Sequence, residues 1–258
     1  MRVTFLGTAD GHTSAFREHS GIIVQAAESS LLLDCGANVS GYLQQKKYSP
    51  DFPESIWISH MHSDHIGQLS MLIQSLWLRA RRAPLHLYAP QAIVTTLQDW
   101  FEKCLLFPEL LGFPIYWHAV KAGRQYAQGP FFFHAFGTNH LKNLAGYFQN
   151  HYPLTCFECY GVSITYKKKR YVYSADLALP RELRPALKPS TQALFCELTH
   201  FSEQLLFEEL ARHKLEQVFI THYPDHLCKK EAELKRIARA AKFHGKVNLM
   251  RDRQSVVI

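Results

Sequence analysis

Metal-binding residue types are concentrated in one short segment of this chain, and they constrain its fold more than any other feature. Three histidines and an aspartate, His60, His62, Asp64 and His65, directly follow the apolar, strand-like run Ser55–Ile58. Alternate side chains of an extended chain point to the same side, so His60 and His62 can bind one ion. Asp64 and His65 fall where the next helix opens and can reach a second ion. The mixed imidazole and carboxylate donors favour a borderline divalent metal, and the segment predicts half of a two-metal centre.

The pattern His-x-His-x-Asp-His resembles the defining motif of the metallo-β-lactamase superfamily. The resemblance implies further ligands at later strand ends, and three candidates follow apolar runs in the expected order: His140, Asp176 and His222. It implies two ions that share Asp176. The first would be held by His60, His62, His140 and Asp176, and the second by Asp64, His65, Asp176 and His222. The implied cofactors are two divalent metal ions, Zn²⁺ or Mn²⁺, and the ligand types do not choose between them.

A chain of 258 residues that is 47% hydrophobic can bury the core of one domain or of a sandwich of two similar halves. We expect a single hydrolase domain over residues 1–258. The resemblance implies an α/β (α+β) fold, the αββα four-layer sandwich, with the metals at one edge between the sheets. The pattern predicts strands at Arg2–Leu6, Gly21–Gln25, Leu31–Asp34 and Leu85–Tyr88, and helices at Met71–Arg82, Gln91–Leu106, Glu203–Arg212 and Lys229–Phe243.

Smaller motifs indicate one branch of the superfamily. The opening Phe5–Gly11, followed by Arg17, Ser20 and Leu31–Gly36, resembles that of the ribonuclease Z and phosphodiesterase branch, in which Asp34 is a buried structural residue. His200 follows another predicted strand, and the resemblance implies that it faces the scissile phosphate. The alternative is that His200 is an N-terminal helix residue before Ser202. Glu197 is interpreted as a strand-end structural carboxylate, and the alternative is that it holds the His200 tautomer.

The resemblance implies a phosphodiesterase acting on a small or nucleotide phosphodiester through a metal-bridging hydroxide. His200 and Asp64 are the expected catalytic residues, with Asp64 also orienting the attacking water. The first alternative is a ribonuclease Z-like nuclease on RNA or DNA, and the second is a thioester or lactone hydrolase. The stretch between His140 and Asp176 is too short for the long arm with which bacterial ribonuclease Z proteins clamp transfer RNA. It instead carries an aromatic insertion, residues 141–157, that could stack on a base or pack onto the sandwich.

Net charge, cysteine content and hydrophobic patterning bear on the substrate, the redox state and the location of the protein. A net charge of +7 favours anionic substrates. The sequence has two basic clusters, Lys167–Arg170 and the group of Arg79, Arg81 and Arg82, and neither has the pattern of a nucleic-acid site. Six scattered cysteines favour free thiols, and Cys35 and Cys196 suit the core. With no leader or long apolar run in the sequence, we expect a cytoplasmic protein with no membrane partner. Related phosphodiesterases often form dimers, so the resemblance is also compatible with a homodimer.

Overall fold

The strands of this chain form two mixed sheets. The structure is a computed structural model that describes residues 1–27 and 29–258. The strands are β1 (Arg2–Gly7), β2 (Gly21–Ala26), β3 (Ser29–Leu33), β4 (Ser55–Trp57), β5 (Leu85–Pro90), β6 (Ile115–Val120), β7 (Gln125–Gln128), β8 (Phe131–Thr138), β9 (Cys159–Tyr166), β10 (Lys169–Tyr173), β11 (Thr191–Cys196), β12 (Gln217–Ile220), β13 (Lys246–Leu249) and β14 (Gln254–Val257). The first sheet has the order β14-β1-β2-β3-β4-β5-β6, and the second has the order β13-β12-β11-β10-β9-β8-β7.

Each sheet is antiparallel at one end and parallel at the other. In the first sheet the pairs from β14 to β3 are antiparallel and those from β3 to β6 are parallel. In the second sheet the pairs from β7 to β10 are antiparallel and those from β10 to β13 are parallel. The two halves of the chain therefore repeat one strand pattern, which matches the similar halves considered from the chain length.

Helices cover the outer faces of both sheets. The α-helices are α1 (Val39–Gln45), α2 (Ser63–Ile66), α3 (Leu69–Leu78), α4 (Val94–Lys103), α5 (Pro108–Leu111), α6 (Lys142–Phe148), α7 (Glu203–Leu210) and α8 (Glu231–Ala240), of which α6 has no buried residue. The alternation along β3 shows how the layers form: Leu31 and Leu33 enter the core between the sheets, while Leu32 packs under the helices. A third core joins α7 and α8 to the outer face of the second sheet. The predicted αββα sandwich is confirmed.

The predicted strands agree with the structure to within about two residues, whereas the helices are shorter than predicted. The helix predicted over Met71–Arg82 ends at Leu78, because the chain reverses at Ala80 with a left-handed φ of 58°. Arg81 therefore lies beyond the end of the helix. Its fully buried guanidinium donates to backbone carbonyls, including Pro53 at 2.9 Å and Pro84 at 2.7 Å. The described helices include none that is long and apolar enough to cross a membrane.

Candidate metal centre

All seven predicted ligands lie beyond strand ends at one edge of the sandwich. His60 and His62 follow β4, and Asp64 and His65 lie in the short helix α2. The other three, His140, Asp176 and His222, follow the ends of β8, β10 and β12, respectively. Each sheet therefore supplies part of the cluster, and the site exists only where the two sheets meet.

The ligand atoms form two groups, and in each group they lie within 4.8 Å of one another. One group is His60, His62, His140 and Asp176, and the other is Asp64, His65 and His222. The first group has the membership that the resemblance implied, and the second has the implied residues except Asp176. Their role as ligands is taken up below as a proposal.

The two oxygens of Asp176 face different groups. Its Oδ2 lies 3.5 Å from His140 Nε2 and 3.9 Å from His60 Nε2. Its Oδ1 lies 3.3 Å from the Nε2 atoms of both His65 and His222. A carboxylate placed in this way can bridge two cations, one held by each group.

The donor set fits a pair of divalent ions. His60 Nε2, His65 Nε2 and Asp176 Oδ1 are buried and lack a hydrogen-bond partner among residues 1–27 and 29–258. Buried polar atoms left in this state are costly and rare, so such a cluster calls for a ligand. Imidazole nitrogen and carboxylate oxygen together suit zinc and manganese.

A single buried carboxylate, Asp34, orients a histidine in each group. Asp34 Oδ2 accepts from His65 Nδ1 at 2.7 Å, which leaves His65 Nε2 for an ion. Asp34 also accepts from the Ser59 hydroxyl at 2.7 Å, and the Ser59 oxygen lies 2.9 Å from His60 Nδ1. Tyr173 adds a further hydrogen bond to Asp34 Oδ2 at 2.6 Å. Such outer contacts fix the tautomer and raise the basicity of metal-binding histidines.

The loop that carries Asp34 packs tightly against α2. Cys35 N donates to the carbonyl of His65 at 2.6 Å, and Ser20 N donates to that of Asp64 at 3.1 Å. A Cβ atom on Gly36 would lie 1.7 Å from the carbonyl oxygen of Asp64, so only glycine fits there. The motif Leu33–Gly36 thus holds the aspartate and histidine of α2 in place.

Burial and neighbouring charges set the protonation of the donors. Burial lowers the pKa of His140 to about 4 and lowers that of His60, which favours the neutral imidazole that metals require. Burial would raise the pKa of Asp64, but the hydrogen bond and charge of His65 outweigh it and hold the pKa well below its ordinary value. Asp64 is therefore a carboxylate at neutral pH.

His200 lies beside the first group, with its ring centroid 4.5 Å from that of His140. Both oxygens of the buried Glu197 contact His200 Nδ1, at 2.8 and 2.9 Å, so Nε2 points away from Glu197. Backbone N–H groups of Leu177 and Thr199 also donate to Glu197 and fix it in turn. The tautomer role considered for Glu197 agrees with this geometry. The helix α7 begins after Ser202, so His200 lies outside it.

The insertion that follows His140 folds into α6, in which no residue is buried. Tyr147, Phe148 and Tyr152 are exposed, whereas Phe157 packs on the core between the sheets. Packing onto the sandwich therefore explains only Phe157 among these aromatic residues.

Other residues that support the site were missed from the sequence. Glu182 accepts hydrogen bonds from the backbone and side chain of Asn139, at 3.2 and 2.8 Å, and so fixes the loop of His140. Ser59 and Tyr173 were not singled out either, although Ser59 directly precedes His60. A strand-end hydroxyl beside the first ligand was the available signal. Cys156 and Cys159 join no metal-binding group in the described part of the chain.

Comparison with known proteins identifies the family. Residues 1–244 match the family described as Anti-Pycsar protein Apyc1. The chain belongs to this family. Ribonuclease Z of Myxococcus xanthus is 30% identical over 148 residues, which cover 57% of this chain and 47% of that protein. The match thus spans less than half the length of this curated relative.

Similarity to solved structures shows that this chain has the metallo-β-lactamase fold. The metallo-β-lactamase fold protein YhfI from Bacillus subtilis aligns with a TM-score of 0.78 and 21% sequence identity. The alignment covers 99% of this chain and 98% of that one. The short form of human tRNase Z has a TM-score of 0.73 and 18% identity, over 100% of this chain and 99% of that one. The superfamily resemblance inferred from the motif is confirmed.

Proposed function

We propose that this chain is a metal-dependent hydrolase that cleaves a small or nucleotide phosphodiester at a centre of two divalent ions. The arrangement of Asp176, with one oxygen toward each donor group, is the observation that supports it best. Two ions bridged in this way suit in-line displacement at phosphorus, because both the attacking and the leaving oxygen can be stabilised. Each donor group draws on both sheets, which supports residues 1–258 as one functional domain.

Ions held by these groups would polarise the phosphoryl oxygens and provide a nucleophile from water near neutral pH. Asp64, a carboxylate at neutral pH, can bind an ion and accept a hydrogen bond from the attacking water. His200 is turned by Glu197 so that its Nε2 can donate a hydrogen bond or a proton to a phosphate oxygen. The buried ligands His60 and His65 exclude bulk water from the inner side of the centre.

The comparisons support the phosphodiester class of substrate. Ribonuclease Z matches over 57% of this chain, and a diphosphatase of the PhnP family shares the fold. The net charge of +7 favours anionic substrates. A nuclease acting on RNA is the second candidate, favoured by the sequence match to ribonuclease Z. Only the short helix α6 lies between β8 and β9, so we place a small substrate first. A cytoplasmic location and a homodimer stay predictions.

The test is turnover of bis(p-nitrophenyl) phosphate by protein reloaded with Zn²⁺ or Mn²⁺, with Asp64→Ala as the matched inactive variant. We expect metal-dependent release of p-nitrophenol that the variant loses. Active protein would then be screened on cyclic nucleotides and RNA to separate the two candidates. Absence of turnover with either metal, together with hydrolysis of a thioester or lactone, would overturn the proposal.

A further inference from the structure

We propose that Arg17 is a positioning residue for the second ion, acting through His222; this inference rests on the proposed two-metal function. Arg17 lies in the loop between β1 and β2, and its side chain is only 6% exposed. Its guanidinium makes no contact with the seven proposed ligands. It donates hydrogen bonds to the backbone of the two chain segments that hold His222.

The guanidinium joins two distant segments of the chain. Arg17 Nη1 donates to the carbonyl of Thr8 at 2.9 Å, and Nη2 donates to the carbonyl of Tyr223 at 2.7 Å. Arg17 Nε donates to Asp225 Oδ1 at 2.9 Å, and the guanidinium lies 4.5 Å above the centre of the Tyr223 ring. A planar fork of donors suits this arrangement, and a lysine ammonium cannot reproduce it.

The two joined segments hold His222. Ala9 and Tyr223 form an isolated parallel bridge, with Tyr223 N donating to Thr8 O at 3.1 Å. The Ala9 carbonyl lies 3.1 Å from His222 Nδ1, which directs Nε2 toward Asp176 Oδ1 and Asp64 Oδ2, at 3.3 and 3.7 Å. His222 itself has a left-handed φ of 46°, a conformation that persists only where the surroundings impose it.

The consequence is selective for one ion. His222 belongs to the group with Asp64 and His65. In the other group, His60 contacts Ser59, and the loop of His140 is fixed by Glu182. Loosening the contact between Thr8 and Tyr223 should therefore weaken the binding of the second ion and leave the affinity for the first ion unchanged. A purely structural role for Arg17 would lower stability without separating the two ions.

The test is Mn²⁺ titration of metal-free protein, followed by metal content and by the electron paramagnetic resonance signal of a coupled Mn²⁺ pair. Wild type should bind two ions and show the coupled signal. Arg17→Lys should bind one ion as wild type does and the other about 10- to 100-fold more weakly, with the coupled signal replaced by that of a single ion. Arg81→Lys is the matched control, because Arg81 also donates to backbone carbonyls but lies away from the site.

Asp225→Asn provides a second variant in case Arg17→Lys does not fold, since Asp225 is partly exposed and removing its charge loosens Arg17. It should weaken the same ion by a smaller factor. Two ions bound by Arg17→Lys with wild-type affinity would overturn the inference and leave the proposed function intact. Fewer than two ions in wild type would instead count against the proposed function.

Discussion

Single residues with no direct contact to substrate set the chemistry of this centre. Asp34 accepts from Ser59, His65 and Tyr173, and through Ser59 it also reaches His60. One carboxylate thus directs a histidine toward each of the two proposed ions. The resemblance of Leu31–Gly36 implied that Asp34 is a buried structural residue, but its hydrogen-bond partners come from distant parts of the chain.

Replacing Asp34 by asparagine should weaken the binding of both proposed ions. The hydrogen-bond partners of Asp34 are all donors, so an amide NH₂ at this position would face a donor and leave buried groups unpaired. We expect about a 10- to 100-fold loss of metal affinity in Asp34→Asn, measured by titration of metal-free protein. Loss of one ion only, with the other unchanged, would show that the route through Ser59 to His60 does not operate.

Removing the His200 imidazole should affect turnover but not metal binding. His200 contacts Glu197 and lies outside both donor groups, so we expect His200→Ala to keep two ions while turnover of the phosphodiester falls by about 10²- to 10⁴-fold. The experiment compares steady-state turnover with metal content on the same sample. Undiminished turnover of the phosphodiester in the variant would remove His200 from the catalytic machinery.

At the scale of elements, sequence patterns located strands better than helix ends. Strands such as β2 and β3 have apolar residues facing both the core between the sheets and a helix layer, which produces the apolar runs Ile22–Val24 and Leu31–Leu33. Helix ends depended on backbone reversals, such as the one at Ala80, that no preceding glycine or proline announces. The support given by Arg17 to His222 was equally hidden, since 205 residues separate them.

Pairing of β5 with β6 should depend on pH. His86 Nδ1 lies 3.0 Å from His118 Nε2, and the His118 ring stacks on Tyr88 at 4.2 Å. Burial lowers the pKa of both histidines, and the charge of His86 further lowers that of His118. The unfolded chain therefore binds more protons, so the pair contributes stability that is present above the ordinary histidine pKa of about 6.5 and is lost progressively below it.

The measurement is the melting temperature between pH 7.5 and 5.5 for wild type and for His86→Gln/His118→Gln. The double variant should lose less stability on acidification than wild type. His244→Gln, which removes an exposed histidine, should follow wild type. Equal acid sensitivity of wild type and the double variant would contradict the role assigned to the pair.

At the scale of the whole molecule, the proposed centre joins the two sheets. Ligands after β4 belong to the first sheet, while those after β8, β10 and β12 belong to the second. The superfamily resemblance implied the sandwich, which the structure confirms, and it also named the residues that the structure brings together, whose role as ligands stays a prediction. The supports from Glu182 and Arg17 could not be predicted, because they depend on how distant loops meet.

Metal should therefore stabilise the native state of the whole chain. An ion that binds only the folded protein contributes about 2.7 kcal/mol at a hundredfold excess over its Kd, which raises the melting temperature by about 5 to 10 °C in a chain of this size. We expect EDTA to lower the melting temperature of wild type and Zn²⁺ to restore it. Asp176→Ala should show neither effect, and a chelator-sensitive melting temperature in that variant would place the ions elsewhere.

The most direct measurement is anomalous diffraction at the zinc edge from crystals of zinc-loaded protein. We expect two peaks about 3.5 to 4 Å apart, one near each oxygen of Asp176. The first peak should lie among His60, His62 and His140, and the second among Asp64, His65 and His222. A single peak, or two peaks of which only one contacts Asp176, would contradict the bridged two-metal centre.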